Sequence, residues 1–516
     1  MNVTVWVPGD AGALALGAQA TAQALVAGAR AAGTEVRLRR NGSRGLYWLE
    51  PLIEVETPAG RVAYGPVRAS DVPALLASGL LDGRAHPLRL GDIEQHPWLA
   101  TQQRLTFARV GRIDPLDLAA FRAAGGYRGL ARALELGPEA TVNEVLESGL
   151  RGRGGAAFPT GIKWQTVLRQ PPGRKYITCN ADEGDSGTYS DRMLMEGDPF
   201  TLIEGMTIAG VAVGATRGYI YLRVEYPHAF RVLNAAIAKA REAGGLLGAD
   251  VMGSGLAFDL EVRLGAGAYI CGEETSMLES LEGRRGEVRV RPPLPAEKGL
   301  FGAPTIVNNV ITLATVPTIL ANGATAYKDY GQARSRGTLP LQLAGNIRRG
   351  GLVERAFGLT VRELLEDYGG GSMSGRPIRA VQIGGPLGAY LPVSQFDTPL
   401  EYEALSAIGA LLGHGGVVAF DDTVDMLEMA RYAMEFCAIE SCGKCTPCRI
   451  GSVRGAEALA AVGRGEDRDR QLALVEELCD TMLNASLCGL GGMTPFPVQS
   501  AMKHFAEDFR GRTRGG

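Results

Sequence analysis

Hydrophobic and polar positions change period several times along this chain, and the changes divide it into four pieces. In the first, residues 1–105, VTVWVP (3–8) reads as a short strand. The Ala/Leu run 12–32 has helical composition with Gly33 as its stop, and TEVRLRR (34–40) alternates as a strand. LIEVETPAGRVAYGP (52–66) reads as a hairpin turned at Pro58-Ala59-Gly60, and Asp71-Val-Pro73 starts a short helix over 71–81. In the second piece, 110–330, the strand-like segments YITCNADE (176–183), GYIYLRVE (218–225) and LEVRLGAGAYI (260–270) run into glycine or acidic loops. AFRVLNAAIAKAREAG (229–244) is a helix between two of them. The third, 335–415, runs strand, helix, strand through LPLQLAGNI, LTVRELLEDYG and RAVQIGG. The fourth, 420–516, is helical: Val424, Leu427, Ala430, Met434 and Cys437 share one face, and Arg468 to Leu483 is a second amphipathic helix.

These patterns predict an α/β multidomain protein. The order β-α-β-β-β-α suits a thioredoxin-like first domain, and strand-helix alternation in the second piece requires at least part of a sheet to be parallel. The third suits a small β-grasp (ubiquitin-like) domain. Composition narrows the picture: 71 of 516 residues are glycine, about twice the usual share, without a collagen period, and 46% are hydrophobic. A net charge of −3 gives no basic surplus for nucleic acid. The start MNVTVWVPGD has no signal-peptide pattern, and the uncharged stretch between Lys298 and Lys328 is broken by Asn, Pro and Gly, so it reads as buried loop and helix rather than a membrane span. A cytoplasmic location without direct membrane contact is expected. The RGRTRGG tail is the only low-complexity segment.

Chemistry enters with the cysteines. None precedes Cys179, whereas six of eight lie between Cys437 and Cys488. Cys442-Gly-Lys-Cys445-Thr-Pro-Cys448 is a C-x2-C-x2-C triplet, and Cys488 follows in a CGLGG loop. Three thiolates at this spacing converge by wrapping one object, and a remote fourth completes a [4Fe–4S] ligand set. Structural zinc, which favours two C-x2-C pairs, and unliganded core thiols are the competing readings. Cys437 and Cys479 on helices, and Cys179 and Cys271 in strand-like segments, read as buried hydrophobes.

The densest glycine segment, GLRGRGGAAFPTGIKW (149–164), satisfies G-x-G-x-x-A from Gly152 to Ala157. It follows a helical rather than a strand-like stretch, so it is not the standard dinucleotide fingerprint. Arg151, Arg153 and Lys163 add cationic donors suited to phosphate or a flat anionic ring. CNADEGDSGTYSDR (179–192) gathers acids after a strand without calcium-loop spacing. GAGAYICGEET (265–275) sets adjacent glutamates beyond another glycine segment, and NNV (308–310) offers amides that can bond a carbonyl-rich heterocycle.

Together, GLRGRGGAAFPTGIKW, YITCNADEGDSGTYSDR, GAGAYICGEETSMLESLEG, NNV and SCGKCTPCRIG…SLCGLGG resemble, in order, the motifs of the flavin (51 kDa-type) subunit of the NADH dehydrogenase/complex I family, over about 110–510. The resemblance implies FMN in a Rossmann-like domain, a site for NAD+/NADH above it, and one [4Fe–4S] cluster on Cys442, Cys445, Cys448 and Cys488 in a C-terminal helical bundle. It implies that Gly152, Gly154, Lys163, Asn180, Asp182, Glu183, Tyr269, Gly272, Glu273, Glu274, Asn308, Asn309 and Thr312 line the flavin. Phe158 and Arg291 would contact the nicotinamide nucleotide. Asp185 stands where relatives usually carry Glu for the ribose, and Leu294 where Phe is frequent.

The first piece resembles the thioredoxin-like [2Fe–2S] domain of the same complexes, but Ser43 and Tyr47 stand where that domain has its cysteine pair. This departure looks most like the β (diaphorase) subunit of cytoplasmic NAD-dependent molybdenum or tungsten formate dehydrogenases. That likeness implies two partners: a molybdenum- or tungsten-containing catalytic subunit with iron–sulfur clusters, and a small [2Fe–2S] thioredoxin-like subunit. The equivalent subunit of an NAD-reducing hydrogenase or of respiratory complex I, and a non-catalytic zinc-bound scaffold, are the alternatives. No acid–base catalytic residue is expected. The protein aligns nicotinamide with flavin for hydride transfer, and the carboxylates of Glu273, Glu274 and Asp182 should disfavour added negative charge on the reduced ring.

Overall fold

The computed structural model describes residues 3–510; the ends of the first and fourth pieces, including nearly all of the RGRTRGG tail, lie outside the described residues. Alternating apolar residues in the first piece form β1 (Val3–Trp6), β2 (Val36–Arg39), β3 (Ile53–Thr57), β4 (Gly60–Tyr64) and β5 (Arg89–Asp92). They make one sheet in the order β2-β1-β3-β4-β5, with β1 and β2 parallel and the other pairs antiparallel. The expected hairpin is present. The single helix expected over 12–32 is instead two, Ala11–Ala15 and Ala18–Ala31, because Gly17 adopts φ +100° between them. Only the short apolar content of Arg89–Asp92 hid the fifth strand.

The second piece holds a fully parallel sheet in the order β8-β7-β6-β9: β6 is Tyr176–Ala181, β7 Arg217–Leu222, β8 Asp259–Leu264 and β9 Thr305–Asn309. Strand β8 stops at Leu264, so Cys271 lies not in a strand but in the one-turn helix Tyr269–Gly272. Two apolar helices, Pro199–Val213 and Val310–Asn322, cross beneath this sheet. Their approach depends on Gly205, where a Cβ would fall 1.9 Å from the Leu313 carbonyl oxygen. The uncharged stretch after Lys298 is therefore β9 plus a core helix, and among the described residues no helix is long and apolar enough to cross a membrane.

After a small hairpin, β10 (Gly331–Gln332) and β11 (Ser335–Arg336), come β12 (Thr338–Gly345), β13 (Gly351–Ala356), β14 (Ile378–Ile383), β15 (Tyr390–Pro392) and β16 (Gly416–Asp421). Their order is β13-β12-β16-β14-β15. The sheet thus extends past residue 415, because its central strand is the last one. The helical piece comprises Met426–Glu440, Thr446–Arg464, Arg468–Ala485, Gly489–Met493 and Pro495–His504. Leu427, Ala430, Met434 and Cys437 are buried as their spacing requires, while Val424 precedes the helix.

A buried ion pair anchors the segment joining the first sheet to the rest. Arg44, with 2% of its side chain exposed, donates to both oxygens of Glu54 at 2.6 and 2.8 Å and to Glu94 at 2.8 Å. Its neighbour Gly45 accepts from the Leu352 amide in β13 at 3.0 Å. Removing Arg44 leaves the fully buried Glu54 with only Arg61 at 3.5 Å, and breaking a buried pair in this way costs up to ~3–5 kcal/mol. Arg44→Ala should lower the unfolding free energy read from urea denaturation by up to that amount, and the double variant Arg44→Met/Glu54→Leu should recover most of it.

Candidate functional site

Parallel register creates the site. Thr178 pairs with Val307, Cys179 with Asn308 and Asn180 with Asn309, so the acidic loop after β6 and the amide-bearing end of β9 leave the sheet side by side. The glycine loop 149–158 crosses above them after the helix Pro138–Glu147, as the sequence predicts, and leads into the helix Thr160–Leu168. At Gly154 a Cβ would stand 2.9 Å from the Asn309 Cβ, so the loop reaches this distance only as glycine.

Most carboxylates expected to face a flavin are already engaged. Glu273 caps the helix Glu274–Leu281, accepting from the amides of Thr275 and Ser276 at 2.9 Å each. Glu274 accepts from Arg291 Nη1 at 2.9 Å and lies 3.4 Å from Lys163 Nζ, which also donates to the Val307 carbonyl at 2.8 Å. Of the three acids expected to disfavour added negative charge on a reduced ring, two therefore have a lysine, an arginine or helix amides answering them. Asp182 is different. Its Oδ2 is buried with no hydrogen-bond partner among the described residues, and burial pushes its carboxyl up to about 7 against the pull of Arg223.

Three expected liners turn inward. Glu183 is 4% exposed; it accepts from the amides of Asp191 and Arg192 at 3.0 Å each and from the Tyr226 hydroxyl at 3.1 Å. Asn308 is 6% exposed, with Oδ1 taken by Trp164 Nε1 at 2.9 Å. Thr312 is fully buried and accepts from the Arg153 amide at 2.8 Å. These side chains brace the loops from behind, whereas Asn180 donates to the Gly272 carbonyl at 2.7 Å nearer the opening. Tyr269 donates to Asp185 at 2.7 Å, and burial raises that carboxyl. Phe158 is half exposed, as is Leu294. Sequence reasoning missed Asp191 and His414, both buried directly behind these loops; a histidine inside a glycine run at 413–416 was the available signal.

The cysteine site abuts this one. The Tyr269 amide donates to Glu440 at 2.9 Å, two residues before Cys442, and Lys444 Nζ donates to the Val288 carbonyl at 2.7 Å. Cys442 lies in the loop after Met426–Glu440, Cys445 is the N-cap of Thr446–Arg464, Cys448 sits in that helix's first turn, and Cys488 is the N-cap of Gly489–Met493. Gly491 lets the segments close, since a Cβ there would meet Ser486 Oγ at 2.4 Å and Cys448 Cβ at 2.8 Å. Burial pushes the Cys488 thiol up to about 11 against the amides of Leu490 and Gly491, so binding a cationic cluster there releases a proton. Cys437 is buried 3.7 Å from Cys448 Sγ, and Cys179, Cys271 and Cys479 are also buried.

These residues fit a flavin and a cluster. Asp182 keeps a buried oxygen without a partner among the described residues, and Gly272 lies against it, a Cβ there falling 3.8 Å from Asp182 Oδ2. Four thiols at helix N-termini and a loop match soft, multi-iron ligation.

Comparison with known proteins gives the same picture. The family description "Nuo51 FMN-binding domain" matches residues 145–318, and "NADH-ubiquinone oxidoreductase-F iron-sulfur binding region" matches 428–512. The chain is 45% identical to the NADP-reducing hydrogenase subunit HndC of Solidesulfovibrio fructosivorans, over 79% of this chain and 83% of that protein. It is 44% identical to an NADH-quinone oxidoreductase subunit of Escherichia coli (strain K12), over 77% and 89%. Among solved structures, an NAD+-reducing [NiFe]-hydrogenase in the H2-reduced state superposes with TM-score 0.70 at 29% identity, covering 100% of this chain and 84% of that one. FMN, a [4Fe–4S] cluster and NADH are thus the groups this chain handles, and the zinc reading is set aside.

Two outcomes follow. Cys488→Ser should lose the four-iron absorption and electron paramagnetic resonance signal while keeping bound FMN; an unchanged cluster spectrum would show that Cys488 is not a ligand. For Asp182, the native carboxyl titrates near 7 and the unfolded one near 3.8, so its stabilising contribution is complete below the lower value and lost as pH rises through the upper. In flavin-stripped protein, Asp182→Asn should therefore raise the melting temperature more at pH 8 than at pH 5.

Proposed function

The chain belongs to the family of FMN- and NADH-binding iron–sulfur subunits of NADH dehydrogenase-like complexes, and from that premise we propose that it is the diaphorase subunit of a soluble NAD-dependent formate dehydrogenase. When bound, FMN supplies two-electron exchange with a nicotinamide on one side and one-electron exchange with a cluster on the other. The chain's own residues provide position. Gly154 sets the loop against Asn309, Gly152 and Gly272 present bare backbone to the ring and ribityl chain, and Lys163 and Asn180 offer donors at its edge. Half-exposed Phe158 and the cation Arg291 face the solvent side, where a nicotinamide nucleotide approaches. Tyr269 carries the arrangement to the cysteine loop through Glu440.

The observation carrying the formate reading is the first piece without its thiols. Ser43 is buried and donates to Glu50 at 2.8 Å, and the Tyr47 ring packs edge-on to Tyr189 at 5.0 Å, so this unit offers no thiolate to a cluster. Within the family this departure resembles the formate enzymes, whose second cluster belongs to a separate small [2Fe–2S] subunit and whose formate is oxidised on a molybdenum or tungsten subunit. The first unit is a thioredoxin-like docking relic, 110–330 a Rossmann-like FMN domain and 335 onward a β-grasp domain ahead of the helical cluster domain. A hydrogenase partner is the second reading, favoured by the full-length likeness to the [NiFe]-hydrogenase chain.

Purification of the native complex separates them. It should reduce NAD+ with formate and contain molybdenum or tungsten, and NADH should reduce ferricyanide on this subunit. Nickel in the complex and hydrogen-dependent NAD+ reduction would assign the hydrogenase instead.

A further inference from the structure

We infer that His414 is a positioning residue of the flavin site, clamping the glycine loop to the acidic and Asn309 loops from behind. The inference rests on the reading that FMN lies over these loops. Glycine presents the imidazole: Gly413 and Gly415 adopt φ +59° and +81°, with a Cβ on the first 2.5 Å from Gly384 Cα and on the second 2.6 Å from the Pro340 carbonyl oxygen. No other residue type allows both turns, and together they push His414 out of the loop before β16 into the protein. There it is 5% exposed.

Its contacts join three loops. Nδ1 lies 2.6 Å from the carbonyl oxygen of Arg153, between Gly152 and Gly154. Nε2 lies 3.1 Å from Ser190 Oγ, 3.2 Å from Asp191 Oδ1 and 3.3 Å from Glu183 Oε1. Asp191 Oδ2 in turn accepts from Asn309 Nδ2 at 2.8 Å. The His414 carbonyl accepts from Gln342 Nε2 at 2.9 Å, and Gln342 Oε1 accepts from the amides of Tyr189 and Ser190, so β12 holds the far side.

A carbonyl can only accept, so Nδ1 carries a proton. Nε2 has the Ser190 hydroxyl and two carboxylate oxygens within 3.3 Å. A bare lone pair there would face both carboxylates, so the surroundings favour a proton on Nε2 as well, with the Ser190 hydroxyl accepting, and the ring as an imidazolium. Burial alone would lower the pKa of His414, but Asp191 and Glu183 outweigh it and hold the ring charged well above the usual histidine range. The remaining groups facing it are Asp185, and, through Glu183, Tyr226 with Arg192 and Arg223 stacked on its ring. Without the imidazolium, Glu183 and Asp191 would share one buried pocket as like charges. One of them would then take up a proton near neutral pH, and the Asn309 and glycine loops would be held only while that proton is present.

His414→Gln in the full chain tests this through FMN affinity, followed by flavin fluorescence on reconstitution. Wild type should bind equally at pH 6 and pH 8. The variant should weaken as pH rises, approaching tenfold per pH unit for one linked proton, with the cluster spectrum unchanged. His414→Gln/Asp191→Asn, which removes a charge of each sign, should fold and bind FMN with a flat pH profile. Should the single variant fail to fold, the double variant carries the test: a pH-dependent loss in it, or a flat profile at wild-type affinity in a folded His414→Gln, overturns the inference. Stoichiometric divalent metal beyond the cluster iron, lost in His414→Gln, would also overturn it by making the triad a metal site. Failure of the wild-type chain to bind FMN at all would instead overturn the flavin reading on which it rests.

Discussion

The parallel pairing of β6 with β9 is the constraint on which the rest of the site depends. Parallel strands end at the same edge of a sheet, and the crevice beyond their carboxyl ends is where open α/β sheets take ligands. Here that edge gathers Asn180, Asp182, Asn308 and Asn309 from segments more than a hundred residues apart. A shift of one residue between these strands would exchange Asn308, locked under Trp164, with Asn309, which caps the next helix and bonds Asp191. Of the two helices that support the pairing, Pro199–Val213 is buried along its whole length and Val310–Asn322 along nearly all of it, as the covering layer of a parallel sheet must be.

Around that edge the protein pairs polar groups with one another before any ligand arrives. Charges buried behind the loops are matched: Glu183 by helix amides and His414, Glu274 by Lys163 and Arg291, Glu273 by the helix it caps. An unmatched buried charge would cost several kcal/mol, so a site built from loops stays in one arrangement only when each is answered. Asp182 and Asp191 each keep a buried oxygen without a hydrogen-bond partner among the described residues, but the Asp191 oxygen lies 3.2 Å from His414 Nε2, whereas Asp182 forms no ion pair among them. The contrast separates residues that shape the site from the one that has capacity left for something entering it, a distinction that residue type does not reveal.

This explains which parts were legible in the sequence. Strands β6, β7 and β8 were readable because apolar or alternating runs of six residues lead into glycine or acidic loops, and the cysteine triplet because ligation fixes its spacing. Strand β9, hidden in an uncharged stretch that reads as loop and helix, and the core helix Pro199–Val213 were not. Gly17 and the strand β5 were not, since a single positive-φ glycine and a four-residue edge strand barely alter periodicity. The inward turn of Glu183, Asn308 and Thr312 was equally hidden. Their positions follow from side-chain partners far off in the chain: Tyr226 lies 43 residues from Glu183, and Trp164 lies 144 from Asn308. No local pattern carries that information. His414 itself stood in view only as a histidine between glycines, and its meaning required the carboxylates opposite it.

The first unit shows the same logic working without a cofactor. The segment around Ser43 and Arg44 is buried, and each polar group it brings inside needs a partner. Ser43 turns to Glu50, and Arg44 takes both oxygens of Glu54 and one of Glu94. The neighbouring Asn41 donates to the Gly111 carbonyl at 2.7 Å, and Gly42 packs so closely on Gly197 that a Cβ would stand 2.7 Å from its Cα. This segment is thereby the seam that joins the first unit to the flavin-side helices. Its backbone carries charges whose burial is tolerable only while that seam stays closed, so the polar residues at 41–54 tie the two units together rather than serving the first alone.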